Sequence, residues 1–215
     1  MHLKRQKVPK NWPVHRKGTT FVVRPKSNIE KGIPILVILR DILGIAQNRR
    51  EVKKAIHEKN ILLNNKPVTD ERNAALLFDI IAIVPSKKYY RLEISDKGKF
   101  KVEEINKQES LKKTAKIIGK KALKGRKMQL NLSDGRNILS NIKCKVNDSV
   151  LVDLQNKKVE KCLPLVEKSK VLIFEGKHAG EKGVVNRIDE KRRMVELTIN
   201  KNKVNVLIKQ LMVIE

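Results

Sequence analysis

The chain has 215 residues, with 49 Lys and Arg against 23 Asp and Glu, a formal charge of +26 and a pI near 10.2. Hydrophobic residues at 40% exclude a wholly disordered protein, and aromatics at 3% leave the cores to Ile, Val and Leu. A polyanion relieves self-repulsion of this size, so nucleic acid is the leading partner, while no long apolar run or basic amphipathic helix speaks for a membrane.

The first stretch, HLKRQKVPKNWPVHRK, holds six Lys or Arg, two Pro, the sole Trp and no acid; the first acid of the chain is Glu30. Residues 1–33 are expected to form an extended basic arm that takes its structure from RNA. Pro9 and Pro13 lower the entropy lost on ordering around Trp12. The indole can stack on a base or pack against a partner, and the sequence does not choose between them. The segment lacks the apolar core of a signal peptide, and its prolines break the amphipathic helix of a transit peptide, so a reducing cytoplasm is expected.

Residues 34–85 follow a helix–helix–hairpin pattern. Pro34 suits a first helical turn. Ile35 to Leu43 reads as a short, mostly buried helix closing at Gly44. Asn48 and Glu51 have N-cap and N3 spacing, which predicts a second helix to about Lys59. Its inner face is Val52, Ala55 and Ile56, and its outer face is Arg49, Arg50, Lys53 and Lys54. Ile61–Leu63 reads as a strand, Asn64-Asn65 as a two-residue hairpin turn with the return at Val68, and Phe78 to Val84 as another strand.

Residues 86–168 contain short alternating runs. Tyr89–Ile94 and Phe100–Ile105 flank an Asp96-Lys97-Gly98 turn, a hairpin signal. One of Tyr89 and Tyr90 is expected in the core. The segment SLKKTAKIIGKKALKGRKMQLNLS carries eight Lys or Arg and no acid. Packing such charges together is costly, so phosphate is expected nearby, with Lys120, Lys121, Lys124, Arg126 and Lys127 as candidates. Asp134-Gly135 marks a turn and Val150–Leu154 a strand, and the whole suggests a small antiparallel barrel. Cys144 and Cys162 form no C-x-x-C and have no His pair nearby. That excludes a local zinc module and argues against a disulfide-stapled fold. In residues 169–215, strands are expected at Val171–Phe174, Val184–Ile188, Met194–Ile199 and Val204–Ile208, with Gly176, Gly180 and Gly183 around the first turn. This describes a small SH3-like barrel.

Two segments carry resemblances. NRREVKKAIHEKNILLNNKPV resembles the αL RNA-binding motif of ribosomal proteins and RNA-modifying enzymes. The resemblance implies that Arg49, Arg50, Lys53 and Lys54 contact RNA, flanked by Asn65 and Lys66. Many members have Gly-Asp where this chain has Phe78-Asp79. VLIFEGKHAGEKGVV resembles the KOW motif. Gly180 matches its turn glycine, with Lys177, His178 and Lys182 on the exposed loop.

The order of these parts is similar to the e-type family of small ribosomal subunit protein four. The matching residues include His2-Leu3-Lys4-Arg5, Pro9-Lys10, Trp12, Arg24-Pro25, Leu39-Arg40, Glu51-Val52-Lys53-Lys54, Asp79-Ile80-Ile81, Lys145-Val146-Asn147-Asp148 and Gly176 through Gly183. The resemblance implies a structural constituent of the cytoplasmic small ribosomal subunit that binds and helps fold its rRNA. Its partners would be small-subunit rRNA and neighbouring ribosomal proteins. No membrane, small-molecule substrate, cofactor, metal or homo-oligomer is expected. Deep contacts are expected from Lys4, Arg5, Lys7, Lys10, Arg16 and Lys17, with Trp12 as an anchor. The expected fold is α+β and multidomain, mainly β. It comprises a basic extended arm over 1–33, an αL motif domain over 34–85, a central β-barrel-like domain over 86–168 and a KOW SH3-like barrel over 169–215.

Two other function classes fit the sequence less well. αL motifs are often attached to catalytic domains, but the four His, at 2, 15, 57 and 178, are scattered, and no Gly-rich cofactor loop or metal-ligand spacing occurs. No catalytic residue is assigned. The alternative is a KOW-containing transcription elongation or regulatory RNA-binding factor, which the arm and the αL motif fit poorly.

Overall fold

The computed structural model describes residues 2–124, 127–199 and 202–214. The chain divides into two compact units, Met1–Ile94 with Lys99–Ser110, and Ser95–Gly98 with Leu111–Glu215. Both are mainly β.

The start of the first unit is not the extended arm expected. β1 (Leu3–Lys4) pairs antiparallel with β2 (Phe21–Val22), and Leu3 and Trp12 are both buried. The Asn11 carbonyl accepts the Phe100 N–H at 2.8 Å, and the Asn11 side-chain amide donates to the Glu30 carbonyl at 3.2 Å. The physical reason is burial. A large apolar side chain removed from water contributes about 1.5–3 kcal/mol, and this segment has two of them to place.

After β3 (Gly32–Pro34), the run Ile35–Leu39 is buried throughout. It forms one helical turn, α1 (Ile35–Val37), which widens into a π-helical turn over Ile38–Ile42, where the Leu43 N–H reaches the Ile38 carbonyl at 2.9 Å. α2 (Arg49–His57) follows with Asn48 as its N-cap. β4 (Ile61–Leu63) and β5 (Lys66–Pro67) form the expected hairpin, with Asn64 and Asn65 at φ of 51° and 60°. β6 (Ala74–Leu76) returns to pair with β3. β7 (Ile80–Ile83), β8 (Lys88–Ile94) and β9 (Phe100–Ile105) complete one antiparallel sheet of order β5-β4-β7-β8-β9.

This sheet moves the boundary expected between residues 85 and 86. The β8–β9 hairpin belongs with the helix pair, because β7 and β8 pair at Ile80↔Arg91 and Ile81↔Tyr90. Tyr90 is the buried tyrosine of the pair, as are Ile80, Ile81 and Leu92 beside it.

The second unit holds two sheets. β10 (Lys112–Ala122), β11 (Met128–Leu132), β12 (Asn137–Leu139), β13 (Ser149–Asp153) and β14 (Lys158–Leu163) assemble in the order β12-β11-β10-β13-β14. β10 serves two partners. Lys112–Lys116 pairs with β13, and Ile117–Ala122 pairs with β11, with a register shift between Ile117 and Gly119. β15 (Lys170–Ile173), β16 (Lys182–Asp189), β17 (Met194–Ile199), β18 (Asn202–Leu207) and β19 (Leu211–Val213) form the other sheet, of order β18-β17-β16-β15-β19. Each sheet has its own aliphatic core, one around Ile117, Leu130 and Val150 and one around Val171, Val195 and Leu197. Polar bonds join them. The Val213 N–H donates to the buried Ser149 Oγ at 2.9 Å, and Lys116 Nζ donates to the carbonyls of Ile208 and Leu211.

No described helix is long and apolar enough to cross a membrane. The described residues contain no group of three or more His, Cys, Asp or Glu placed to hold a metal ion.

Candidate nucleic-acid interface

α2 starts where its sequence directs. Asn48 Oδ1 accepts the N–H groups of Arg50 and Glu51 at 2.9 and 3.0 Å. Glu51 reaches back to the Gln47 N–H at 2.7 Å, which satisfies a further donor at the helix start. Val52 and Ile56 face the core, so Arg50, Lys53 and Lys54 are turned to solvent. Lys54 lies 4.0 Å from Glu58, a loose i,i+4 contact. Arg49 departs from this face. Its Nε donates to Glu71 Oε1 at 2.7 Å, its Nη2 binds the same oxygen, and the Glu71 carboxylate is 2% exposed. The Arg49 guanidinium is therefore committed to an internal ion pair, because a buried carboxylate left alone is costly.

The β4–β5 hairpin that follows leaves Asn65 and Lys66 exposed. Polar groups whose bonding the sequence pattern did not reveal hold it in place. The buried Asn64 donates its amide to Asp79 Oδ1 at 2.7 Å and accepts the Ile80 N–H at 3.1 Å. Asp79 Oδ2 accepts the Leu76 N–H at 2.7 Å. Phe78 keeps the left-handed backbone of a glycine position, at φ 60°. Its N–H bond to the Leu92 carbonyl, 2.8 Å, and its buried ring hold it there. Phe78 thus takes the backbone conformation that glycine adopts most readily, with a bulky side chain in place.

In the N-terminal segment, Lys4, Lys7, Lys10, Arg16 and Lys17 are exposed. Arg5 and Trp12 have partners within the chain. Arg5 donates to the Thr19 carbonyl at 2.7 Å, the His15 carbonyl at 2.6 Å and Thr19 Oγ1 at 2.9 Å, closing the loop on itself. Trp12 is 3% exposed, so its ring is core and offers no face to a base.

The basic run of the second unit divides the same way. Lys121, Lys124 and Lys127 are exposed and Lys120 half-buried, on and beside a β10–β11 ribbon paired at Lys120↔Leu130 and Lys121↔Gln129. Arg126 lies outside the described residues. Lys113 and Lys116, from the same run, point inward. Lys113 Nζ lies 2.7 Å from Asp134 Oδ2. Burial pushes the Asp134 carboxyl up, but the charge and hydrogen bonds of Lys113, with help from Arg136, hold it below the usual carboxylate range. Lys116 sits 5.9 Å from the Phe174 ring centre, and burial lowers its pKa to about 8 against the opposing charge of Glu175.

Between β15 and the first residue of β16, Lys177 and Lys182 are exposed, and the half-buried His178 places Nδ1 3.0 Å from Glu181 Oε2. Gly180 is buried at φ 97° with its N–H on the Ile173 carbonyl at 2.7 Å. It shapes the turn and is not a contact surface, because only glycine adopts this backbone without strain. The exposed Lys and Arg side chains are spread over both units and suit phosphate oxygens by charge.

Known proteins match this arrangement. A model of the ribosomal family S4e matches residues 86–159, and a model of the RS4NT (NUC023) domain matches residues 1–27. The small ribosomal subunit protein eS4 of Methanocella arvoryzae is 36% identical over 201 residues, covering 92% of this chain and 85% of that protein. The eS4 protein of Nanoarchaeum equitans is 36% identical over 191 residues, covering 87% and 82%. The fold is similar to a crystal structure of the 30S ribosomal protein S4e from Thermoplasma acidophilum, with a TM-score of 0.74 at 22% identity, over 86% of this chain and 95% of that one.

Proposed function

The chain belongs to the family of small ribosomal subunit protein eS4, and from that premise we propose that it is a structural constituent of the small ribosomal subunit that binds and helps fold its rRNA. Its place is then in the cytoplasmic ribosome, and the family carries no enzymatic role. The observation that supports rRNA as the ligand is the pattern of exposed and half-buried cations on a chain of charge +26. Lys4, Lys7, Lys10, Arg16 and Lys17 border the N-terminal segment. Arg50, Lys53, Lys54, Asn65 and Lys66 form an αL-type face. Lys120, Lys121, Lys124 and Lys127 follow the ribbon, and Lys177 and Lys182 stand on a KOW-type loop. Each contact to phosphate releases counterions and reads backbone and shape rather than sequence. Neighbouring ribosomal proteins complete the surroundings, and the chain acts as a single copy, not as a homo-oligomer.

Sedimentation tests this. Ribosomal subunits separated at high salt from native cells should carry the chain stoichiometrically in the small subunit. Its absence there, with enrichment in polymerase or light RNA–protein fractions, would overturn the proposal.

A further inference from the structure

A groove of about 780 Å³ opens in the second unit, between the Lys145–Asp148 turn, the β16–β17 turn and the end of β18. Its size falls in the range of about 300–1,000 Å³ typical of small-ligand sites. Leu165, Ile188 and Ile208 form its floor and are packed against the core of the C-terminal sheet, which makes the floor rigid. Val146, 44% exposed, and Leu207 extend the apolar surface. Lys145, Arg193 and Lys209 stand on the rim, exposed and without an acidic partner among the described residues. Arg192 on the same rim reaches Asp189 at 3.8 Å. Asp148 is spent on the fold, accepting the N–H groups of Lys145 at 2.7 Å and Leu165 at 3.1 Å, which leaves Glu190 as the rim's one other acid.

An apolar floor under a cationic rim calls for a ligand with a flat apolar body and an anionic edge. A peptide strand would need main-chain partners. Three of the groove's amides are taken: Asn147 N–H by the Ile117 carbonyl at 3.0 Å, Arg193 N–H by the Glu190 carbonyl at 3.3 Å and Ile208 N–H by the Arg193 carbonyl at 3.0 Å. The neutral polar side chain left in the groove is the amide of Asn147, which can donate to and accept from a base edge. Resting on the proposed rRNA-binding role, we propose that this groove receives one nucleotide extruded from rRNA. The base lies on the aliphatic floor, the Asn147 amide meets its edge, and Lys145, Arg193 and Lys209 hold the adjoining phosphates. Single-stranded bulges and loops are where RNA offers unstacked bases.

The test uses intact small subunits. Short-wavelength ultraviolet light joins a base to a side chain it touches, and digestion followed by mass spectrometry locates the adduct. Nucleotide adducts are expected on residues 145–148, 188–193 or 207–209, together with loss of Lys145 and Lys209 acetylation that nuclease treatment restores. Asn147 has φ 76°, so Asn147→Gly removes the amide and keeps the backbone; it should lower adduct yield per incorporated chain by about threefold or more. Chemical cross-links from Lys145 or Lys209 to another ribosomal protein, or freely acetylated groove lysines in subunits that contain the chain, would overturn this proposal and leave the ribosomal role standing. Absence of the chain from the subunits would overturn the role itself.

Discussion

Arg49 and Arg50 are neighbours in sequence and on the same helix, yet only one is free. Arg49→Ala strips the counter-charge from the buried Glu71, so it should cost about 1–2 kcal/mol of stability after allowing for the exposure of Arg49. Arg50→Ala should leave stability unchanged and lower the slope of log affinity against log salt by about 0.7–0.9. Urea midpoints and filter binding across a salt series separate the two, and equal slopes for both variants would refute the division. Lys116 offers a second residue-scale test. Its pKa is about 8 in the folded chain, against 10.5 ordinarily. Between those values the unfolded chain binds the extra proton, so stability rises with pH across the interval, and below about 8 the penalty is fully present. Lys116→Met removes the titrating group. The unfolding free energy of the parent should therefore climb relative to the variant as pH rises through this window, and parallel profiles would show that Lys116 titrates normally.

At the level of elements, what was legible in the sequence was local. α2 was readable because Asn48, Glu51 and the Val52–Ile56 face lie within three turns of each other. The Asn64-Asn65 hairpin was readable because two adjacent residues carry its positive φ. The N-terminal segment was misread because its structure comes from distant partners. Trp12 and Leu3 need a core to enter, and Asn11 needs Phe100. No local pattern announces those contacts, and a basic, proline-containing stretch looks extended without them. The consequence bears on truncation. Deleting residues 1–29 should destabilise the first unit and speed hydrogen exchange at the Phe100 amide, while amides of β15 and β17 in the second unit keep their protection. Replacing Lys4, Lys7 and Lys10 with Gln should leave that exchange unaltered and weaken only RNA binding. Unchanged exchange at Phe100 after the deletion would restore the arm model.

Across the whole molecule, composition pointed to a polyanion correctly because net charge is a sum and needs no geometry. Domain boundaries do need geometry. The β8–β9 hairpin pairs backward with β7, so no composition shift marked the end of the first sheet, whereas residues 168–169 fall between β14 and β15, whose sheets share Lys116 and Ser149 as polar ties. The same geometry withdraws Lys113 and Lys116 from the surface, so the charge available to RNA is smaller than the sequence count. The free cations still fall on both compact units, and this gives an additive expectation. Exchanging Arg50, Lys53 and Lys54 for Gln should lower the salt slope by about 2–2.7, and so should exchanging Lys121, Lys124 and Lys127. If both units engage the same rRNA at once, the six-site variant should lose about twice that amount, since sites that share no partner contribute independently. A six-site variant no weaker than one of the triple variants would mean that a single unit carries the phosphate contacts and the other faces protein or solvent.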